Sequence, residues 1–173
     1  MISILLSFAM MTVHPQNIKI KVGDKVPEWL LPDAKGLDYS MDTWKGKVLQ
    51  MNYVDPDEED LNDHFNDEVD KATDIDKRID KEYFKGFGIV DTKSTWKPKG
   101  IIKMIAKRKE KKYGTTILFD NEGILHDKWG APMDSYTIVI ADKDRICRAV
   151  YAGRVPDDEV EDIIQLIIKL TKE

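Results

Sequence analysis

GKVLQMNYVDPDEEDL, Gly46 to Leu61, joins an apolar run to an acidic knot. Lys47 to Val54 is rich in strand formers and long enough for a central strand. The next six residues, Asp55 to Asp60, carry five carboxylates. Pro56 suits the first position of a helix, Asp55 its N-cap and Glu58 the acid of a capping box. Asp57 and Glu59 then fall in the first turn, where the helix dipole favours negative charge. Leu61, Phe65, Val69 and Ala72 follow at helical spacing, with polar residues between them. The stretch therefore predicts a strand running directly into a helix whose positive end is crowded with carboxylates.

Further along, the same alternation continues. Gly86 to Thr92 (GFGIVDT) predicts a second strand. Lys97 to Gly114 predicts a basic amphipathic helix with an Ile101, Ile102, Ile105 stripe and a glycine C-cap. Thr115 to Asp120 predicts a third strand, closed by the turn residues Asn121, Glu122 and Gly123. Ser135 to Asp142 and Arg145 to Gly153 flank Asp142-Lys143-Asp144 and predict an antiparallel pair. A last helix follows Pro156. Asp157, Asp158 and Glu159 stand at its start, Lys169 and Lys172 at its end, and Val160, Ile163, Ile164, Ile167 and Leu170 make its apolar stripe. Strand, helix, strand, helix, strand, hairpin, helix implies an α/β fold: a mixed central sheet with helices on both faces.

The chain has 173 residues, 42% apolar and 34% charged, with a net charge of −5. That length fits one domain. The acidic balance disfavours a specific nucleic-acid binder. Ile2 to Val13 is apolar but too short to span a bilayer. It suits a signal-peptide core, although no Lys or Arg precedes it and Ser7-x-Ala9 is an early cleavage site. Residues 1–21 are therefore expected to be a signal peptide or an apolar arm, and 22–173 the domain. Export is the expected location, with the cytoplasm as the alternative.

Gly23 to Pro27, the Pro32, Asp33 and Gly36 turn, Trp44 before Gly46-Lys47, and the tail TTILFDNEGILHDKWGAP…SYTIVIADKDR resemble the thioredoxin-like fold in its redoxin or peroxiredoxin-like form, with its N-terminal extension. Within that superfamily, GKVLQMNYV, Ile89 to Thr92 and FDNEGILHDKW followed by VIADKDR resemble the YtfJ-like proteins, which lack the active-site cysteine pair. The resemblance implies a bacterial, exported protein. Redox-active members place paired cysteines where this chain has Glu58 and Leu61, and a cis-proline near Ser135 or Tyr136. Both are absent.

Four functions compete for these residues. A thiol oxidoreductase or peroxidase would have to use Cys147, the only cysteine, which sits in a predicted strand rather than at a helix start. A metal site could use Asp60, His64 and Glu68 on one helical face, but the knot has no calcium-loop glycine. The basic residues among 93–112 could meet an anionic partner, and their separation from the acidic stretch 55–82 predicts two oppositely charged faces. A non-catalytic binding or interaction protein accounts for every missing catalytic residue at once, and is the reading favoured here. It requires no cofactor. Its binding surface would be the old active-site region, Asp55, Asp57, Glu58, Ser135 and Tyr136, with a protein or peptide as partner.

Overall fold

The structure is a computed structural model that describes residues 18–173. The apolar stretch Ile2 to Val13 lies outside the described residues. A five-stranded sheet forms the centre, in the order β5-β4-β3-β6-β7. β3 (Val48–Val54) is the middle strand, and all seven of its residues are buried. It pairs in parallel with β4 (Phe84–Asp91), which pairs in parallel with β5 (Ile117–Asp120). On its other side it pairs antiparallel with β6 (Tyr136–Ala141), which forms a hairpin with β7 (Cys147–Ala152). A small hairpin, β1 (Leu30–Pro32) with β2 (Asp38–Ser40), precedes the sheet.

The two crossovers, β3 to β4 and β4 to β5, run in the same direction across the sheet. The right-handed crossover rule therefore puts both connecting helices on one face. Those helices are α1 (Asp63–Asp70) and α2 (Lys99–Tyr113). α4 (Val160–Lys172) joins α1 on that face, where Phe65, Val69, Ile163 and Ile167 pack on Val48 and Ile138. All five residues of its predicted stripe are buried. The opposite face carries Leu49, Met51 and Tyr53 from β3. It is covered by the N-terminal extension, through Trp29 and Met41, and by α3 (Ile124–Trp129), through Leu125 and Trp129.

Three local expectations are corrected. The helix after β3 does not start at Pro56. Residues 55–62 form successive turns, and α1 begins at Asp63. Asp55 accepts the Asp57 N–H on Oδ1 (2.8 Å) and the Glu58 N–H on its carbonyl (2.9 Å), so it closes a turn rather than capping a helix. Glu58 closes no capping box. The start is set instead by Asn62, which is buried and spends its side chain on the loop after β7. It donates to the Gly153 carbonyl (2.9 Å) and accepts the Val155 N–H (2.8 Å). Next, the stripe of α2 is rotated: Ile102 and Ala106 are buried, Ile105 is half-buried, and Ile101 is 43% exposed. Finally, α3 had no predicted counterpart. Asp120 builds it by accepting the Ile124 and Leu125 N–H groups (2.9 and 2.8 Å), with Gly123 in the left-handed region before it.

Asp120 belongs to a pattern. Asp55, Asp91, Asp120 and Asp142 stand at the C-terminal ends of β3, β4, β5 and β6, and all are buried. Each accepts backbone N–H groups from the turn that follows. A carboxylate there satisfies donors that the ending ladder leaves open.

Candidate functional site

The turn after β3, the loop 92–98 and the loop before β6 meet at the C-terminal end of β3. The Asp55 N–H donates to the Ser135 carbonyl (3.0 Å), which joins two of the predicted site residues. Asp57 forms an ion pair with Lys97, whose ammonium also donates to the Pro56 carbonyl (3.0 Å). Asp57 is exposed, and Glu58 and Ser135 are half-buried. Asp55 and Tyr136 are buried, so neither presents an open surface. The Tyr136 hydroxyl instead accepts from Asn66 Nδ2 of α1 (3.0 Å). Among the described residues there is no cis peptide bond.

Burial raises the pKa of Asp55, and the nearby charges of Asp57, Asp134 and Asp91 add to it, against the Asp57 N–H bond. A carboxyl whose folded-state pKa exceeds its unfolded value contributes stability in acid that is lost as pH rises through the folded pKa. Asp55→Asn keeps an oxygen for the Asp57 N–H and removes the charge. It should melt above the wild type at pH 7, and the difference should close as pH falls below the carboxylate range. A variant that melts lower at pH 7 would show that the charge is needed.

The predicted acidic and basic segments do not occupy separate faces. They meet. Glu59 pairs with Arg108 (2.5 Å), Asp60 and Asp63 with Lys109 (2.5 and 2.6 Å), and Asp63 and Asp67 with Lys112 (3.0 and 2.9 Å). Tyr113 donates to Asp67 (2.8 Å). The acidic knot and α1 are thereby zipped to α2 by their charges. Lysine hydrogen bonds and charge lower the pKa of Asp63 despite its partial burial. Lys99, Lys103, Lys107 and Lys111 face solvent on the other side of α2.

The proposed metal face does not assemble, because Asp60 precedes α1. Asp60 is engaged by Lys109, His64 lies against the Val155 carbonyl (2.9 Å), and Glu68 pairs with Lys71. Among the described residues no three His, Cys, Asp or Glu side chains are placed to hold a metal ion.

Cys147 is fully buried at the start of β7, on the face covered by the N-terminal extension. Its partner in β6 is Ala141, which pairs with Leu49 near the start of β3. The thiol thus lies two strands away from Asp55 and at the opposite end of the sheet, roughly 20 Å along the strand direction. Burial pushes its pKa up to about 11, helped by the charge of Asp24. Burial of this kind disfavours the thiolate, the form in which a cysteine acts as a nucleophile.

No protein-family model and no curated protein matches this chain. Solved structures do. A candidate thiol:disulfide interchange protein, DsbE, from Chlorobium tepidum is similar with a TM-score of 0.64 at 16% identity, over 88% of this chain and 99% of that one. The fold is thioredoxin-like. The peroxidoxin BcpB from Mycobacterium tuberculosis (TM-score 0.61, 17% identity, 87% of this chain, 97% of that one) shares it. So does the exposed lipoprotein thioredoxin of Streptococcus pneumoniae (0.61, 17%, 83% and 100%). At these identities the likeness concerns the fold alone. In that thioredoxin-like frame, Glu58 and Leu61 lie in the turn between the central strand and its first helix. Among the described residues, no helix is long and apolar enough to cross a membrane.

Proposed function

We propose that this chain is a redox-inactive thioredoxin-fold protein that acts by binding, in the bacterial cell envelope, as a YtfJ-like protein. The observation that carries the reading is the position of its one thiol. Cys147 is buried at the wrong end of the sheet, and the turn after β3 holds fixed carboxylates already engaged by Lys97 and Arg108. Thiol chemistry needs an accessible thiolate, stabilised at a helix start. The apolar stretch Ile2 to Val13 supports export, and the exposed lipoprotein among the similar structures is consistent with it. The partner is a protein or peptide, docking where Asp57, Glu58 and Ser135 remain accessible beside buried Asp55 and Tyr136.

Insulin reduction and peroxide consumption test this directly. Wild type and Cys147→Ser should be equally inactive in both. Activity that disappears with Cys147→Ser would replace this reading with a thiol enzyme. Photo-crosslinkers at positions 57 and 58, in the native compartment, should capture a partner that a crosslinker at Lys103 on the far side of α2 does not.

A further inference from the structure

A cavity of about 430 Å³ lies between α1, α2 and the sheet. Its floor is set by register. Gln50 and Asn52 of β3 stand opposite Gly86 and Gly88 of β4, and all four share the face on which the two helices pack. Gly86 leaves the floor open beside Gln50, the Ile117 side chain covers Gly88, and Val69, Ile102 and Ala106 supply apolar walls. The volume falls within the roughly 300–1,000 Å³ of small-molecule sites. Lys81, which is exposed, lines one end, so the cavity reaches the surface.

The amides on the floor are oriented by one anchor. Asn52 Nδ2 donates to the Phe87 carbonyl (3.2 Å), which can only accept. That turns Asn52 Oδ1 toward Gln50, whose Nε2 donates to it (3.3 Å) and to Asn66 Oδ1 (2.9 Å). Asn66 Nδ2 then serves Tyr136. The consequence is fixed: Gln50 Oε1 has no hydrogen-bond partner among the described residues, on a side chain only 2% exposed. It lies beside Gly86, where a Cβ would come within 3.9 Å of it. A buried amide oxygen without a donor, beside the uncovered backbone of Gly86, is an acceptor awaiting one.

Most of the charges at the cavity are already engaged. Asp63 is held by Lys109 and Lys112, Asp74 by Lys81, and Glu59 by Arg108. Asp70 makes no ion pair among the described residues, and burial beside Asp74 raises its pKa. A charged guest would find no unpaired counter-ion on the floor and would lose its hydration there. We infer that this cavity binds a neutral, largely apolar small molecule carrying one hydroxyl or amide N–H, donated to Gln50 Oε1. The site is distinct from the docking surface at Asp57 and Ser135, so failure of one leaves the other standing.

Octanamide and 1-octanol serve as probes, with octanoate and octylammonium as charged counterparts. Both neutral probes should raise the melting temperature of the wild type. They should also shift the side-chain amide signals of Gln50 and Asn66 in ¹H–¹⁵N spectra. Gly86→Val fills the floor. Its added Cβ meets only Phe84 at 3.6 Å and Gln50 at 3.9 Å, so the variant should fold and show neither response. Gln50→Leu removes the acceptor and should weaken octanamide binding at least tenfold, and it decides the matter if Gly86→Val does not fold. The inference is overturned if the neutral probes produce no response in the wild type. It is equally overturned if the response survives Gly86→Val or Gln50→Leu, or if either charged probe binds more tightly than octanamide.

Discussion

Arg145→Ala should cost about 3–4 kcal/mol of stability, on the order of 10 °C in melting temperature. Arg145 is buried in the turn between β6 and β7, and its guanidinium forms no ion pair among the described residues. It serves carbonyls. Nη2 donates to Met41 and Trp44 (2.9 and 2.7 Å), and Nη1 to Lys47 (2.7 Å). Those carbonyls belong to the 3-10 turn Met41–Trp44 and the entry to β3, and the Trp44 carbonyl also accepts the Lys47 N–H (3.2 Å). One side chain thus ties the N-terminal extension to the far hairpin. Truncation removes three charge-assisted hydrogen bonds at once. The backbone at Arg145 is also left-handed, with φ 66°. Arg145→Gly loses the same guanidinium but relaxes that turn, so it should retain about 1 kcal/mol more than the alanine variant. Thermal unfolding followed by circular dichroism measures both. An alanine variant melting within about 2 °C of wild type would mean that the clamp is not needed.

Trp129→Ala should be as damaging, at about 3–5 kcal/mol. Trp129 is fully buried at the end of α3 and meets Tyr53 edge-on, with ring centroids 6.0 Å apart. Its carbonyl accepts the Lys19 and Ile20 N–H groups (2.7 and 3.3 Å), which fastens the start of the described chain to this helix. Removing the indole leaves a cavity between α3 and the central strand that the sheet cannot close. The indole N–H has no partner among the described residues, so it is not what holds the ring. Trp129→Phe should therefore cost less than half as much as Trp129→Ala, in chemical denaturation with m-values compared. Equal losses would assign the stability to the indole nitrogen rather than to packing.

Most of the sheet was legible. β3, β5 and the β6–β7 hairpin lie inside their predicted ranges and β4 starts two residues before its own, at Phe84, because a buried strand needs an unbroken run of apolar, strand-forming residues. The α4 stripe was legible for the corresponding reason, a helical period against one flat core. The turn 55–62 was not. Asp-Pro-x-Glu satisfies every local rule for a helix start, yet the winning interaction is Asn62 with Gly153 and Val155, more than ninety positions away along the chain. α3 was missed because six residues are too short for a period to register. Its usable signal was Asp120, one of the aspartates that end four successive strands after an apolar residue.

The order of the central strands, α1, α2 and α4 was legible from residue identity and short-range period, and so was the lack of a cysteine at the first helix. The thioredoxin-like frame came from resemblance to a known family. Three things were decided only in the folded molecule. The acidic and basic segments became one another's partners, because two same-handed crossovers laid α1 and α2 side by side. Cys147 became buried, because pairing placed it at the far end of the sheet under the N-terminal extension. And Gln50 became an acceptor without a donor, because parallel register set Gly86 opposite it. Each depends on which residues stand opposite one another across the sheet or between neighbouring helices, and no local pattern carries that information.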